Sequence, residues 1–234
     1  MQSRSSPLLC ELHAHTTWSD GSFGIGEVVD LYGRRGFDVL AVTDHATRDL
    51  REIHAANYEA YLAAVELEAA RAWREYELLV LPGLELTYDD PDPEQAAHAV
   101  AVGLRSYVTV ADGVETMLRA ARAHGAALVA AHPYPVGEAD TSPRRTARFA
   151  SDTRRLGPLV DRFELFNRDT LFSWVADKGL PTVATGDFHR IEHLSGWKTM
   201  LPCAKTEEAV IGYLRSARPA YLLRLDERPH LRAA

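Results

Sequence analysis

Apolar residues along this chain fall into short, nearly unbroken runs at residues 8–12, 38–43, 78–86, 98–104, 126–131, 162–166 and 181–185. Runs of this length without alternation suit parallel strands covered on both faces. A further candidate at 221–225 closes or flanks the sheet. Between the runs lie segments with helical spacing. Residues 27–35 place Val28, Val29 and Leu31 on one side and end at Gly36. Residues 53–75 are rich in Ala, Glu and Leu, all good helix formers. Residues 112–124 open with an Asp112/Glu115 pair suited to capping a first turn and stop at Gly125. Residues 170–178 end before Gly179, and residues 206–216 end before a proline. Strand and helix alternate with no internal repeat and no low-complexity linker. The pattern predicts a single α/β domain over residues 1–234 with a mainly parallel sheet, either a barrel or an open doubly wound sheet. Residues 1–7 are expected to form a flexible N-terminus.

The ionisable residues favour the barrel. His13, His45, Glu85, His132 and Asp187 each follow the C-terminal end of a different predicted strand. An open sheet gathers its site at one switch point, whereas a barrel collects residues from a ring of strand ends. Five of the ten histidines lie in His13-Ala14-His15, Thr43-Asp44-His45, Ala131-His132-Pro133 and Asp187-Phe188-His189, and His98 is a sixth. Taken singly, each histidine is as readily structural as ligating. Together they are hard to accommodate otherwise, because this many ionisable side chains at the edge of a core are costly without a cation to coordinate them. Imidazoles and carboxylates on one face are the donor set of a divalent-metal cluster, so the sequence reads as a metalloenzyme. In this reading Thr43 and Asp44 orient the His45 ring.

Composition narrows the partners. The net charge of −7 argues against non-specific affinity for nucleic acid or anionic membrane, while leaving room for a local phosphate-binding patch. Cys10 and Cys203 are expected to be reduced thiols, too few for a disulfide framework. No apolar stretch is long enough to span a bilayer and residues 1–7 lead into no signal-peptide core, so a cytoplasmic address is expected.

The motifs occur in the order Glu11-Leu12-His13-Ala14-His15, Ser19-Asp20-Gly21, Thr43-Asp44-His45, Gly83-Leu84-Glu85, His98, Ala131-His132-Pro133 and Gly186-Asp187-Phe188-His189. This series, from about residue 8 to 190, resembles the PHP (polymerase and histidinol phosphatase) domain family of metal-dependent phosphoesterases. The resemblance implies a distorted seven-stranded (β/α) barrel of the PHP type and three divalent metals, which can be manganese, iron or zinc. By resemblance, His13, His15, Glu85 and Asp187 bind the first metal. Glu85 bridges to a second held by His98 and His132, and Asp20, His45 and His189 hold the third. Some family members carry histidine in place of Asp20; a carboxylate there hardens the third site and favours manganese or iron over zinc. Phe188 is bulkier than the residue often found at its position, and either narrows the pocket or packs beneath it.

The implied chemistry is attack on phosphorus by a hydroxide bridging two metals, since coordination lowers the pKa of water from about 15.7 to about 7. Glu85 and Asp187 then have the catalytic role of positioning that nucleophile, and the third metal offsets charge on the phosphate. No protein nucleophile is needed; Ser19 and Thr43 are hydrogen-bonding supports. Arg168, Arg190, Lys198 and Trp197, the last two in an expected loop over residues 196–199, are the substrate-binding candidates, weighed against being ordinary surface residues. Trp197 and Tyr134 are candidates for stacking on a base. Arg144, Arg145, Arg148, Arg154 and Arg155 read as a solvated helix face more than as a steering patch. His54, His124 and His230 read as surface or structural residues, whereas His193 is close enough to His189 to protonate a leaving group.

The expected substrate is a small phosphomonoester, either a nucleotide or a phosphorylated metabolite, with no membrane partner. The chain lacks a sizeable insertion between Glu85 and His132, which sets it apart from the family branch acting on nucleoside bisphosphates and RNA ends. The alternatives are a phosphodiesterase or nuclease acting on nucleic-acid ends, or a non-catalytic metal-binding regulatory module. Hydrolysis of carbon–nitrogen bonds is an outsider, because such barrels often use a bridging lysine and none occurs before Lys178.

Overall fold

The computed structural model describes residues 6–137 and 145–226. Arg144, His230 and most of the expected flexible N-terminus lie outside the described residues. The strands are β1 (Leu8–Glu11), β2 (Val39–Val42), β3 (His45–Thr47), β4 (Leu79–Tyr88), β5 (Ala97–Val102), β6 (Ala127–Ala131), β7 (Arg162–Asn167), β8 (Thr170–Leu171), β9 (Thr182–Thr185), β10 (Gly196–Leu201) and β11 (Tyr221–Leu225). The helices are α1 (Ile25–Gly33), α2 (Tyr58–Tyr76), α3 (Val114–Ala123), α4 (Arg148–Ser151), α5 (Thr153–Leu156), α6 (Ser173–Asp177) and α7 (Glu207–Leu214).

Nine strands follow one another in the order β11-β10-β1-β2-β4-β5-β6-β7-β8, with β3 added beside β4 and β9 beside β7. The expectation of a seven-stranded (β/α) barrel is therefore met only in its coarser part, a mixed α/β fold with a curled sheet. The sheet curls until β9 faces β10, yet no ladder joins them among the described residues. Thr199 stitches this seam, its Oγ1 accepting from Ala184 N at 2.8 Å and donating to Ala184 O at 2.7 Å.

The sheet is also less parallel than the apolar runs predict. β1, β2 and β4 are parallel, as are β6, β7 and β9. By contrast, β5 is antiparallel to both β4 and β6, and β10 to β1. Residues 89–96 between β4 and β5 are too few for the dozen or more residues of a parallel crossover, so the chain turns straight back. This reversal matters for the site. It puts His98, at the start of β5, opposite Thr87 near the end of β4 and opposite Ala131 at the end of β6.

Both faces of the sheet are covered, which explains runs without polar alternation. Inside the curl, Cys10, Ala41, Leu81, Val100, Val129, Val183 and Leu201 pack together and are closed off by Val210 and Leu214 of α7. Outside it, Leu40, Val42, Leu84 and Leu128 pack under α1, α2 and α3.

Several predicted helix boundaries shift for local reasons. α2 begins at Tyr58 and not at Ile53, because Asn57 folds the preceding turn, accepting from His54 N at 2.7 Å and donating to Glu52 O at 2.8 Å. α3 starts after Gly113, whose φ is +93°, and Glu115 pairs with Arg119 and Arg155 without capping the helix. Thr170 and Leu171 turn back onto β7 as β8, leaving only Ser173–Asp177 as helix. Residues 196–199, expected as a loop, belong to β10. No helix among the described residues is long and apolar enough to cross a membrane.

Candidate metal centre

Strand ends deliver the candidate ligands to one rim of the curled sheet. His15 N donates to Phe188 O at 2.8 Å and Phe188 N to His13 O at 3.0 Å, which stitches the His-x-His motif to the Asp187/His189 motif. Phe188 itself packs beneath the site against Phe23 and Tyr32. His132, Arg168 and Asp187 have φ values of +29°, +55° and +43°, a left-handed conformation uncommon outside glycine. Backbone strain of this kind clusters at functional sites, where the surrounding structure holds it in place.

Three groups of donor atoms result: His13, His15 and Asp187; Glu85, His98 and His132; and His15, Asp20, His45 and His189. Glu85 sits among all three. Its Oε1 is 3.1 Å from both His98 Nδ1 and His132 Nε2. Its Oε2 is 3.3 Å from His13 Nε2 and His15 Nε2, and 2.9 Å from His45 Nδ1. Asp187 Oδ1 lies 3.6 Å and 3.4 Å from the same two Nε2 atoms. Asp20 Oδ1 is 3.0 Å from His189 Nε2 and 3.5 Å from His45 Nε2.

These separations fit a common cation. Two donors each about 2.1 Å from one tetrahedral ion are about 3.4 Å apart. His13 Nε2, His15 Nε2 and Glu85 Oε2 are also buried without any hydrogen-bond partner, a costly state that an ion between them relieves. The far nitrogen of several rings is held by an oxygen: His13 Nδ1 contacts Glu164 at 2.9 Å and His132 Nδ1 contacts Thr146 at 3.2 Å. In His45 it is Nδ1, the nitrogen that also faces Glu85, that contacts Thr87 at 2.7 Å, while Nε2 faces Asp20. His98 Nε2 contacts Asp89 at 2.9 Å, and His189 Nδ1 contacts Asp187 O at 2.9 Å. Such contacts fix the tautomer that turns a lone pair inward, as around metal-bound histidines. The residues present fit divalent cations.

The electrostatics agree. Burial opposes charge on Glu85, yet the His45 and His13 imidazoles hold its carboxyl well below the usual range. Burial likewise opposes charge on Asp187, and His13, His15 and Arg168 keep it ionised. Burial would lower His45, but Glu85 and Asp20 raise it to about 9, and Glu85 and Asp187 raise His13 in the same way. Asp20 is held at about 2 by His189 and His45 against its own burial. Without cations, protons supply the positive charge that these carboxylates require.

The other sequence candidates separate clearly. Arg168 lines a cavity of about 400 Å³ above Glu85, its Nη2 donating to Asp187 O at 2.8 Å and Oδ2 at 2.9 Å. Tyr134 is on the same wall. Lys198 is not available for substrate, because its Nζ is fully buried against Glu11 at 2.8 Å. Trp197 is stacked on Phe166 with ring centroids 4.4 Å apart, and Arg190 points outward toward Glu192. Neither lines the cavity.

Asp44 does not orient His45; it accepts from Thr16 N at 2.7 Å and Ser19 Oγ at 2.6 Å, shaping the loop that carries Asp20. Thr43 Oγ1 accepts from Ala14 N at 3.0 Å, and Ser19 also lies 3.4 Å from His15, so both hydroxyls serve as supports. His193 does not have the character of a proton donor. Burial, with Arg168 and His189 nearby, lowers its pKa to about 4, and its Nδ1 accepts from His189 N. His54 Nδ1 accepts from Ala56 N, and His124 is exposed. Within the basic stretch, Arg155 pairs with Glu115 and Arg148 with Asp152, while Arg145 lies over the Tyr134 ring.

Sequence reasoning missed Glu164. It is fully buried in β7 and, besides His13, receives His132 N at 2.6 Å, Asn167 Nδ2 at 2.9 Å and Thr185 Oγ1 at 2.6 Å. The signal was present: a carboxylate in the middle of the apolar run Phe163-Glu164-Leu165-Phe166 needs partners inside the core. Thr87, Asp89, Thr146, Arg51 and Glu52 carried no comparable mark.

No family model matches the chain. A segment is 32 % identical over 94 residues to the DNA polymerase/3′-5′ exonuclease PolX of Bacillus subtilis, covering 34 % of this chain and 15 % of that protein. The chain thus spans only a small part of that relative. Among solved structures, a two-domain protein of Bacteroides vulgatus, named for a PHP-like metal-dependent phosphoesterase, matches with a TM-score of 0.66 at 17 % identity, over 96 % of this chain and 70 % of that one. A protein of Bifidobacterium adolescentis named for metal-dependent phosphoesterase activity matches at a TM-score of 0.50 and 18 % identity, over 80 % and 90 % of the two chains. An amidohydrolase of Chromobacterium violaceum with bound sulfate matches at 0.52 and 16 %, over 92 % and 97 %. The motif order, the converging ligand groups and these neighbours agree: the chain has the fold of the PHP-like metal-dependent phosphoesterases.

Proposed function

We propose that this chain is a metal-dependent hydrolase of phosphate esters whose substrate is a small phosphomonoester, a nucleotide or a phosphorylated metabolite. The observation that carries the reading is the convergence of three donor groups on Glu85 beneath a cavity whose wall bears Arg168. Divalent cations, when bound, supply acidity to water and positive charge to the phosphate oxygens. The donor set suits three of them, with His13, His15, Glu85 and Asp187 for one, Glu85, His98 and His132 for a second, and Asp20, His45 and His189 for a third. The Asp20 carboxylate favours manganese or iron there.

The chain's own residues then have separable tasks. Glu85 presents one oxygen toward His98 and His132 and the other toward His13, His15 and His45, an arrangement suited to bridging. Arg168 is braced by the backbone and carboxylate of Asp187, so its positive charge is held at the cavity wall where a phosphate oxygen would lie. A cavity of about 400 Å³ suits a small ligand, and a net charge of −7 opposes a long polyanion.

The likeness to part of a polymerase–exonuclease favours a second reading, hydrolysis of phosphodiesters at nucleic-acid ends. Amide hydrolysis has less support, since no lysine among the described residues lines the cavity. The test is phosphate release from phosphorylated metabolites, nucleotides and short oligonucleotides by protein loaded with manganese, iron or zinc, with Asp187→Asn as control. Release from small monoesters by the wild type alone is expected. Shortened oligonucleotides without monoester turnover would replace this reading with the second.

A further inference from the structure

Cleavage of an alkyl phosphate leaves an alkoxide, which departs far more readily once protonated. The cavity imidazoles face carboxylates and candidate cations, and His193 is neutral and turned to the His189 backbone. Among the described residues, one cavity carboxylate has a shielded oxygen without a hydrogen-bond partner. Glu52, half-buried between β3 and α2, lines the same cavity as His45 and Asp20. Its Oε2 is shielded from solvent and has no hydrogen-bond partner. Arg51 acts on it only at a distance, because the Arg51 guanidinium is paired with Asp49.

The backbone at this position is anchored. Glu52 O accepts from Asn57 Nδ2 at 2.8 Å, and the next residue, the fully buried Ile53, donates its N–H to His45 O at 3.0 Å. Glu52 is also outside the set His15, Asp20, His45 and His189 whose donor atoms cluster tightly enough to share an ion. It therefore stands beside the ligands without belonging to them. A partly buried carboxyl oxygen without a hydrogen-bond donor favours the protonated form. In the metal-free protein burial raises the Glu52 pKa; His45 and Arg51 oppose this, and Asp20 and Asp49 add to it.

We propose that Glu52 is the general acid of this site, donating its proton to the leaving-group oxygen of a bound phosphoester. The assignment rests on the phosphoesterase reading above. In the step, the bond from phosphorus to the leaving oxygen breaks and its electron pair goes to that oxygen. The oxygen takes the proton from Glu52. Water supplies the oxygen of the new bond to phosphorus, and one of its protons restores the Glu52 carboxyl.

The experiment compares wild-type and Glu52→Gln holoenzyme on an alkyl phosphomonoester and on p-nitrophenyl phosphate, whose phenolate leaves without protonation. Metal content is measured on the same samples. A general acid contributes about 100-fold to 10,000-fold. The expected result is a kcat loss of about 100-fold or more on the alkyl ester, a loss at least tenfold smaller on the nitrophenyl ester, and equal metal content. Equal losses on both esters, or a drop in metal stoichiometry, would overturn the assignment and make Glu52 a structural or ligating residue. A wild type that cleaves neither ester would instead overturn the phosphoesterase reading and this assignment with it.

Discussion

At the scale of single residues, the site depends on side chains that touch no cation. Glu164 accepts the His13 ring N–H and the His132 backbone N–H, and so orients groups belonging to two different donor sets. Partners of this kind are worth about 10-fold to 100-fold in metal affinity. Glu164→Ala is expected to weaken metal binding by about that factor, measured by competition with a chromogenic chelator. Glu164→Gln, which keeps one acceptor oxygen, should fall between the mutant and the wild type. An unchanged affinity in Glu164→Ala would show that strand geometry alone aims His13. His13, His45, Glu85, His132 and Asp187 were legible in the sequence because each ends an apolar run, whereas Asp20, in a polar loop, was named only by the family resemblance. Glu164 was equally anomalous, but its partners His132, Thr185 and His13 come from beyond β6, from β9 and from beyond β1, and no local pattern names them.

At the scale of elements, a buried ion pair ties together the segments that carry the ligands. Lys198 of β10 and Glu11 of β1 are both fully buried and 2.8 Å apart. Glu11 also accepts from His13 N at 3.2 Å and Gly186 N at 2.9 Å, and Tyr32 of α1 donates to it at 3.0 Å. Gly186 is required here, because a Cβ would collide with Lys198 Nζ and Glu11 Oε2. Removing one partner of a buried pair leaves an uncompensated charge and costs about 3–5 kcal/mol. Lys198→Met should therefore lower the unfolding free energy by about that amount in a denaturant titration. The double variant Glu11→Gln/Lys198→Met should recover part of the loss. Additive losses would mean that the two groups do not stabilise each other. Reading residues 196–199 as a loop failed for the same reason: Lys198 and Thr199 look solvent-seeking until Glu11 and Ala184 are brought beside them by the closing sheet.

At the scale of the whole molecule, the donor cluster links pH, metal and stability. In the metal-free protein the folded-state pKa of His45 is about 9, above its ordinary 6.5. A raised folded pKa gives stability that is fully present below about pH 6.5 and is lost as pH rises through about 9. Glu85 and Asp187 are depressed, so their contribution is present above the ordinary carboxylate range and is lost in acid. Cation binding has the opposite slope on the alkaline side, because imidazoles must release protons to ligate. The gap in Tm between metal-loaded and chelator-stripped protein should thus widen as pH rises from about 6.5 to about 9. A gap that stays constant over this range would mean that the cluster does not exchange protons for metal.

The sequence by itself determined the alternation of strand and helix, the two-sided burial of the sheet, and the polar residues that end its strands. These are properties of local periodicity and of polar residues placed where apolar ones are expected, and both are written in nearest-neighbour order. Only the tertiary structure decided that β5 runs antiparallel and thereby brings His98 to the rim. It also decided that Lys198 faces Glu11 while Arg168 faces the cavity, and that Glu52 Oε2 stands without a hydrogen-bond partner beside the ligands. Those outcomes depend on which distant segments meet across the curled sheet. Whether a charged side chain becomes a buried tie, a substrate contact or a proton donor is set by the partner it finds there, and a linear pattern of apolar and polar positions does not contain that partner.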